Sequence, residues 1–376
     1  MYAGWRPSRH PAPFPECMRD GLRAVQSRLP RGQRDFSERG CGMDQLDGLD
    51  RQIVAALVRN GRAPWRVIAE VLGQQERTVA RRGNKLLESG VVRTNSFINP
   101  ASVGPRAGFL LRVTAAPREL RSVCSWLADQ NETSWVSALA GASESVAEVF
   151  LSTDELGGFL YGRLAEVEGV QSFEMTPLLE YFRTPSGWTP DILGNEQYAV
   201  LHPDEDGRLA GLPSSSPLAP LDETNAMLAE LLHRNGRATV DELAGELSVS
   251  KATVSRRLEA MINAGVLFIR AVVDPAVLGF PVEALLTLTR THAQVPGVSE
   301  HLASLPVTRW AAASGEKVVA QVATSTLADL RLLLAGLLDR DDVLSVSGSI
   351  YAEIFKRSTV RYRDGLPEKP GDSTAG

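Results

Sequence analysis

The feature that most constrains this chain is that it repeats itself. The stretch Leu221–Arg270 carries Leu221-Asp222, Arg234-Asn235-Gly236-Arg237, Leu243-Ala244, Thr253-Val254, Arg256-Arg257 and Gly265-Val266-Leu267, and Asp274-Pro275 follows it. Moving back 175 positions without a gap returns Leu46-Asp47, Arg59-Asn60-Gly61-Arg62, Ala69, Thr78-Val79, Arg81-Arg82, Gly90-Val91-Val92 and Asn99-Pro100. A match of that length at constant offset is a tandem duplication. The 376 residues therefore read as two similar halves.

Each half opens with three short helices. Leu46, Leu49, Ile53 and Leu57 recur at helical spacing up to the stop at Gly61, a second helix spans about 65–72, and a third runs from about 76 to 89 before Gly90. The second copy repeats this at 221–232, 239–247 and 251–263, where Ser248 or Ser250 can cap the third helix. Three short helices with tight turns are what a helix-turn-helix unit requires. Gly83 stands where the second copy has Leu258, removing an apolar knob and costing about 1 kcal/mol of helix propensity, so the first unit is expected to be the less stable.

A short strand follows each unit, at 91–98 and 266–273, and then alternating strands and helices. In the first half strands are expected near 107–114, 133–140, 145–152 and 170–182, with helices near 118–130 and 154–167. In the second half strands fall near 282–289, 307–313, 317–324 and 343–354, with helices near 294–305 and 327–338. The order βαββαβ is the ferredoxin-like unit, an antiparallel sheet with both helices on one face. Its other face needs a cover, and the second copy of the same sheet is the economical one. The fold class is thus α+β, a tandem repeat of a winged-helix-like helix-turn-helix domain and a ferredoxin-like domain. The divisions are a disordered leader at 1–42, helix-turn-helix domain 1 at 43–98, ferredoxin-like domain 1 at 99–183 and a linker at 184–217. Helix-turn-helix domain 2 follows at 218–273, then ferredoxin-like domain 2 at 274–360 and a disordered tail at 361–376. A docked turn is expected within the linker at 192–201, and Met43, directly before the first repeat, is a candidate start residue.

The net charge of −5 excludes a protein coated in basic surface and leaves local basic sites open. Cys17, Cys41 and Cys124 have no paired or metal-like spacing, which fits a reducing compartment. His10, His202, His233, His292 and His301 show no metal spacing either, and neither a phosphate-cradling glycine loop nor a nucleophile elbow is present. No apolar run reaches membrane-spanning length. The chain reads as a cytoplasmic protein with no catalytic residues, no cofactor and no membrane partner.

At Leu221–Arg270, and from Asp274-Pro275 through Leu278-Gly279, the sequence resembles the leucine-responsive and asparagine regulator family, Lrp/AsnC, and the likeness recurs more weakly at 46–104. The resemblance covers about 43–183 and 218–357. It implies a DNA-binding unit joined by a swapped strand to a ligand-responsive domain that also carries oligomerisation. This chain resembles the tandem form of a family that usually has one such pair per chain. The family commonly places a Gly and, a few residues on, an Asp near its amino-acid effector. Here Gly141 is followed by Ala142-Ser143-Glu144 and Gly315 by Glu316-Lys317-Val318, so the pattern departs from the family's.

The expected partner is double-stranded DNA. Candidate contacts are Arg77, Thr78, Arg81, Arg82 and Lys85 in the first unit, and Lys251, Thr253, Ser255, Arg256 and Arg257 in the second. Arg77, Arg81 and Lys85 are four apart and share one helix face, where guanidinium groups can meet guanine edges while their neighbours neutralise phosphates. From Leu46 to Arg93 nine basic and five acidic residues give +4, whereas from Leu221 to Arg270 six basic and seven acidic give −1. Arg257 is also a candidate for bridging helices within its unit. Trp135 and Trp310 correspond across the repeat, and with Gly141 and Gly315 they are candidates for an effector site for a small molecule such as an amino acid. A packing role for the two indoles is an equal alternative. The function expected is a sequence-specific transcriptional regulator with an intrachain pseudo-dimer and further homo-oligomerisation through free sheet edges. The rivals are a module that binds small molecules without DNA and, less favoured, an enzyme like the sirohaem decarboxylases, which resemble this family.

Overall fold

The computed structural model describes residues 46–102, 104–201, 221–291, 297–363 and 366–368. The leader at 1–42, Met43, the linker from 202 to 217 and the tail from 369 onward lie outside the described residues, with Cys17, Cys41, His10, His202 and His292.

The first half opens with α1 (Gly48–Arg59), α2 (Trp65–Leu72), α3 (Glu76–Glu88) and β1 (Val92–Ile98). Its body is β2 (Ala107–Ala115), α4 (Leu120–Asp129), β3 (Thr133–Leu139), β4 (Glu144–Leu151), β5 (Val170–Leu178) and β6 (Glu180–Arg183), after which α5 (Asn195–Leu201) precedes the second half. The second half repeats the plan with α6 (Glu223–Arg234), α7 (Val240–Leu247), α8 (Lys251–Asn263) and β7 (Leu267–Val273). Its body is β8 (Val282–Arg290), α9 (Val298–Ser304), β9 (Thr308–Ser314), β10 (Lys317–Thr324), α10 (Leu327–Leu338) and β11 (Val343–Arg357), followed by β12 (Val360–Arg363), so the tail expected to be disordered from 361 starts instead as a strand paired to β11.

Within each body the strand order is that of a ferredoxin-like sheet, β5-β2-β4-β3 and β11-β8-β10-β9. Alternation puts Leu111, Val113, Ala147 and Val149 toward the helices of the first sheet. The opposite faces of the two sheets share one apolar layer with Leu110, Trp135 and Val146 from one half and Leu285, Trp310 and Val319 from the other. Each sheet is therefore the cover of the other.

The last strand of each body serves both sheets. β5 pairs with β2, but past Leu179 the chain continues as β6 and pairs with β9 of the other half. β11 likewise pairs with β8 through Ile350 and with β3 from Tyr351 to Lys356. The strand expected at 170–182 is thus broken into two strands in different sheets. The exchange closes the outer edges of β3 and β9, which would otherwise offer unpaired backbone groups. At its far end, buried Arg183 donates from Nη1 to the carbonyls of Ala303 and Leu305, both at 2.8 Å. Lys356 in the other half donates from Nζ to the carbonyl of Gln130 at 2.7 Å. Each cation thus satisfies carbonyls at the C-terminus of a helix in the opposite half, α9 or α4, where the helix dipole favours positive charge.

One expected element changed form. The helix expected at 154–167 is a π-helical turn at Gly158–Arg163 and a 3-10 turn at Leu164–Glu166. Gly157, Gly158 and Gly162 weaken the α-helical preference there.

β1 and β7 form an antiparallel ribbon in which Asn95 faces Arg270, its own counterpart 175 positions on. A pseudo-twofold axis therefore passes through that pair. The ribbon joins the two helix-turn-helix units directly above the paired bodies.

Candidate nucleic-acid interface

Each helix-turn-helix unit folds around its own apolar cluster. Ile53, Leu57, Ile68, Val79 and Leu86 belong to the first, and Leu228, Leu232, Leu243, Val254 and Leu258 to the second. α1 and α6 begin at Asp47 and Asp222, whose carboxylates accept from the N–H groups of Asp50 and Asn225 at 2.9 and 2.7 Å. These are N-caps, each satisfying one otherwise unpaired N–H of the first helical turn.

The capping of the later helices differs. α7 has a full capping box, in which Thr239 and Glu242 satisfy each other's backbone N–H groups, and Ser250 caps α8 through the N–H of Thr253 at 3.1 Å. α2 and α3 start at Pro64 and Gln75 with no side-chain cap. Gly83 does not leave a void. A Cβ there would lie 2.4 Å from the Trp65 ring, so the indole occupies the place that Leu258 takes in the other unit. Val240 stands where Trp65 does, and the pair Trp65 with Gly83 exchanges volume for the pair Val240 with Leu258. The expectation of a lost apolar knob is corrected accordingly.

Among the candidate DNA contacts, Arg77, Arg81 and Lys85 are exposed along one face of α3, with Thr78 half-buried beside them. On α8, Lys251, Ser255 and Arg256 are exposed and Thr253 is half-buried. Two residues of this set are engaged within their own units. Arg82 Nη1 donates to Asp47 at 2.6 Å and to Asp50 at 2.9 Å, and Arg257 Nη1 donates to Asp222 at 2.6 Å and to Asn225 at 2.9 Å. Both arginines tie the third helix to the start of the first. For Arg257 this is the bridging role weighed from the sequence. The Asp47 carboxyl is held below its ordinary range by the N–H of Asp50 and by Arg82, and the Asp222 carboxyl by Arg257 and the N–H of Asn225. Lys251 makes an exposed ion pair with Asp241 at 2.7 Å, a contact that water and salt weaken.

Comparison with known proteins agrees with this geometry. A model described as the AsnC-type helix-turn-helix domain matches residues 46–87, and one for a winged helix-turn-helix DNA-binding domain matches 221–267. An uncharacterised HTH-type transcriptional regulator of Pyrococcus furiosus is 34% identical over 135 residues, 35% of this chain and 91% of that protein. The chain belongs to the Lrp/AsnC family. An HTH-type transcriptional regulator of Pyrococcus abyssi is 30% identical over 131 residues, 34% of this chain and 87% of its own. The crystal structure of the siroheme decarboxylase NirDL superposes with a TM-score of 0.54 at 12% identity, covering 84% of this chain and 94% of that one. That likeness is one of fold, and it spans both halves. The two matched helix-turn-helix segments begin 175 positions apart, one in each half.

Two residues that join the helix-turn-helix units of this Lrp/AsnC protein were not singled out as functional from the sequence. Arg62 donates to the carbonyls of Gly236 and Ala238 at 2.7 and 3.0 Å, and Arg237 returns the contact to Gly61 and Ala63 at 2.7 and 3.0 Å. Each Asn-Gly-Arg turn thus clasps the other across the pseudo-twofold axis. Its glycine is needed because a Cβ at Gly236 would come within 2.8 Å of the Asn95 nitrogen, and one at Gly61 within 3.0 Å of the Arg270 carbonyl carbon. The available signal was the recurrence of Asn-Gly-Arg in both copies. Arg237 also lies 4.2 Å from the centroid of the Trp65 ring.

The candidate effector residues are separated. Trp135 and Trp310 pack edge to face with centroids 5.5 Å apart in the layer between the sheets, 5% and 1% exposed. Gly141 and Gly315 sit at hairpin tips with φ of 87° and 60°, and no atom lies within 4 Å of a Cβ on either. Trp310 Nε1 donates to buried Glu148 at 3.0 Å, which also accepts from Ser134 and from Tyr181. Burial raises the Glu148 pKa above the usual carboxyl range. Ala323 stands in the corresponding place of the other half, and Trp135 Nε1 has no partner among the described residues. Among the described residues no group of three or more His, Cys, Asp or Glu side chains is placed to hold a metal ion, and no helix is long and apolar enough to cross a membrane.

Proposed function

We propose that this Lrp/AsnC protein reads a two-part site on double-stranded DNA as a single polypeptide, with α3 and α8 each entering a major groove. The observation that carries this reading is the pair of exposed faces, Arg77, Arg81 and Lys85 on α3 and Arg256 on α8, held in fixed relation by the reciprocal Arg62 and Arg237 contacts. Arginine supplies bidentate recognition of guanine, while lysine and the remaining arginines neutralise phosphates. Lys251, Thr253, Ser255 and Thr78 are assigned to phosphate and sugar contacts, and Arg82 and Arg257 to orienting the helices. The half-sites are separated by about one or more helical turns. They differ in sequence, because the two faces differ. A small-molecule effector acts by favouring one arrangement of the two readers over another.

Selection of genomic fragments on the purified chain at about 0.15 M salt, followed by sequencing, tests this. The expected result is enrichment of a bipartite sequence, with one part lost in Arg256→Ala and the other in the Arg77→Ala/Arg81→Ala variant. Enrichment of a single uninterrupted motif that both variants lose together, or retention of DNA without sequence preference, would overturn it.

A further inference from the structure

The two readers meet the bodies beneath them through equivalent seams, and the seams are filled differently. Beneath α1, Trp188 is 2% exposed and shares an apolar cluster with Val54, Ala55, Val58, Ala271 and Val273. Its Nε1 donates to the carbonyl of Pro306 at 2.8 Å, and the Arg309 guanidinium lies 4.9 Å from its ring centroid. Shifted by 175 positions, those five cluster residues become Ala229, Glu230, His233, Ser96 and Ile98, all of which border a cavity of about 300 Å³ beneath α6. The counterparts of Pro306 and Arg309 are Asn131 and Ser134, and they border it too. One site is thus built twice, and in the first copy the chain's own indole fills it. The two halves part company just after the exchanged strands. The first passes through Pro185–Gly187 to Trp188, whereas in the second Val360 folds back on Arg357 in the β11–β12 hairpin.

We propose that the seam beneath α6 is a binding site for a small aromatic molecule carrying an ammonium group, seated as Trp188 is seated in the first seam. Phe97 and Phe150 give the cavity aromatic walls, and its volume is at the lower end of small-molecule sites. Glu132 and Glu230 border it where the first seam has Val307 and Ala55. The second seam has therefore gained two carboxylates that an indole alone does not need. Each makes its ion pair, with Arg163 or Arg234, through one oxygen. Arg106, a cation at the same border, is committed to Glu155 at 2.6 Å and to the carbonyl of Phe150. His233 faces the Ser96 carbonyl at 3.2 Å, and burial lowers its pKa, so at neutral pH it does not repel an ammonium group. A ligand here touches α6 of the second reader, the β1 ribbon and the first body at once. Its control of DNA binding rests on the regulator reading above, but its binding does not.

Titration calorimetry of the full chain with phenylalanine, tyrosine and tryptophan, and with their decarboxylated amines, tests the site. At least one probe is expected to bind, and the two series tell whether an α-carboxylate is accepted. Glu132→Gln is expected to weaken binding about tenfold, and Ala229→Trp, which brings an indole into the seam from α6, to abolish it. No heat with any of the six probes, or heat unchanged in both variants, overturns the site. Absent heat with intact DNA selection leaves the regulator standing, whereas heat with no DNA selection upholds the site and removes the regulator.

Discussion

Where α3 presents Arg77, Arg81 and Lys85 on successive turns, α8 presents Ala252, Arg256 and Ala260. Where α8 begins at a bonded Ser250 and α7 carries a capping box, α3 and α2 begin without side-chain caps. The first reader has more charge for a phosphate backbone, and the second has the better-closed helices. Duplication allowed both changes, because each copy kept the contacts that orient it: Asp47 with Arg82, Asp222 with Arg257, and the crossed Arg62 and Arg237. The lesson is that surface chemistry and internal fit drift separately once two copies are held in one chain.

The largest effect should come from stripping the first reader. Replacing Arg77, Arg81 and Lys85 by alanine should weaken DNA binding about a hundredfold and lower the salt slope by about 2 to 3. Arg256→Ala should lower the slope by about 1. Fluorescence anisotropy across a salt series measures both, and equal slopes would erase the proposed difference. Next is the core exchange. Gly83→Leu should cost about 3 kcal/mol against Trp65, and adding Trp65→Val, which installs the other unit's pairing, should restore most of it in chemical denaturation. A double variant no better than the single one would show that the two solutions are not interchangeable.

The clasp gives a smaller contrast. Arg237→Ala should cost about 2 kcal/mol, and Arg62→Ala about 1 less, because only Arg237 also covers an indole. The strand ends give a pH contrast. Burial lowers the Lys356 pKa from 10.5 to about 8, with Arg361 adding to the effect. Between those values the unfolded chain holds the proton and the folded chain does not, so stability rises with pH across that window. Lys356→Met should flatten that rise, measured by denaturation at pH values spanning the window. Smallest is capping, where Ser250→Ala should cost about 1 kcal/mol and Gln75→Ala under about 0.5.

Much of this was legible in the residues. The constant offset revealed the two halves, helical spacing placed α1 to α3 and α6 to α8, and period-two alternation placed the sheets. Three features escaped because they depend on partners remote in sequence. The run at 170–182 reads as one strand, since nothing local marks the change of sheet at Leu179. Gly83 reads as a defect until Trp65, on another helix, is brought over it. Pro185, Pro190 and the neighbouring glycines read as linker up to the docked turn expected at 192–201, yet Trp188, ahead of that turn, is already buried in the same cluster as Leu193, Tyr198 and Leu201. For the proposed DNA contacts, the sequence marked the basic face of α3 and singled out Arg257 as a bridge, but only geometry showed Arg82 held by Asp47 and Asp50 while Arg81 stays exposed.

The exchanged strands also set an order of events during synthesis. The edge of β3 is completed by Tyr351–Lys356, roughly 200 residues later in the chain, a wait of about 10 to 40 seconds at ordinary translation rates. Through that interval the apolar face bearing Leu110, Trp135 and Val146 lacks its cover, so the nascent first body carries an open strand edge and an open apolar face together until the second half is made.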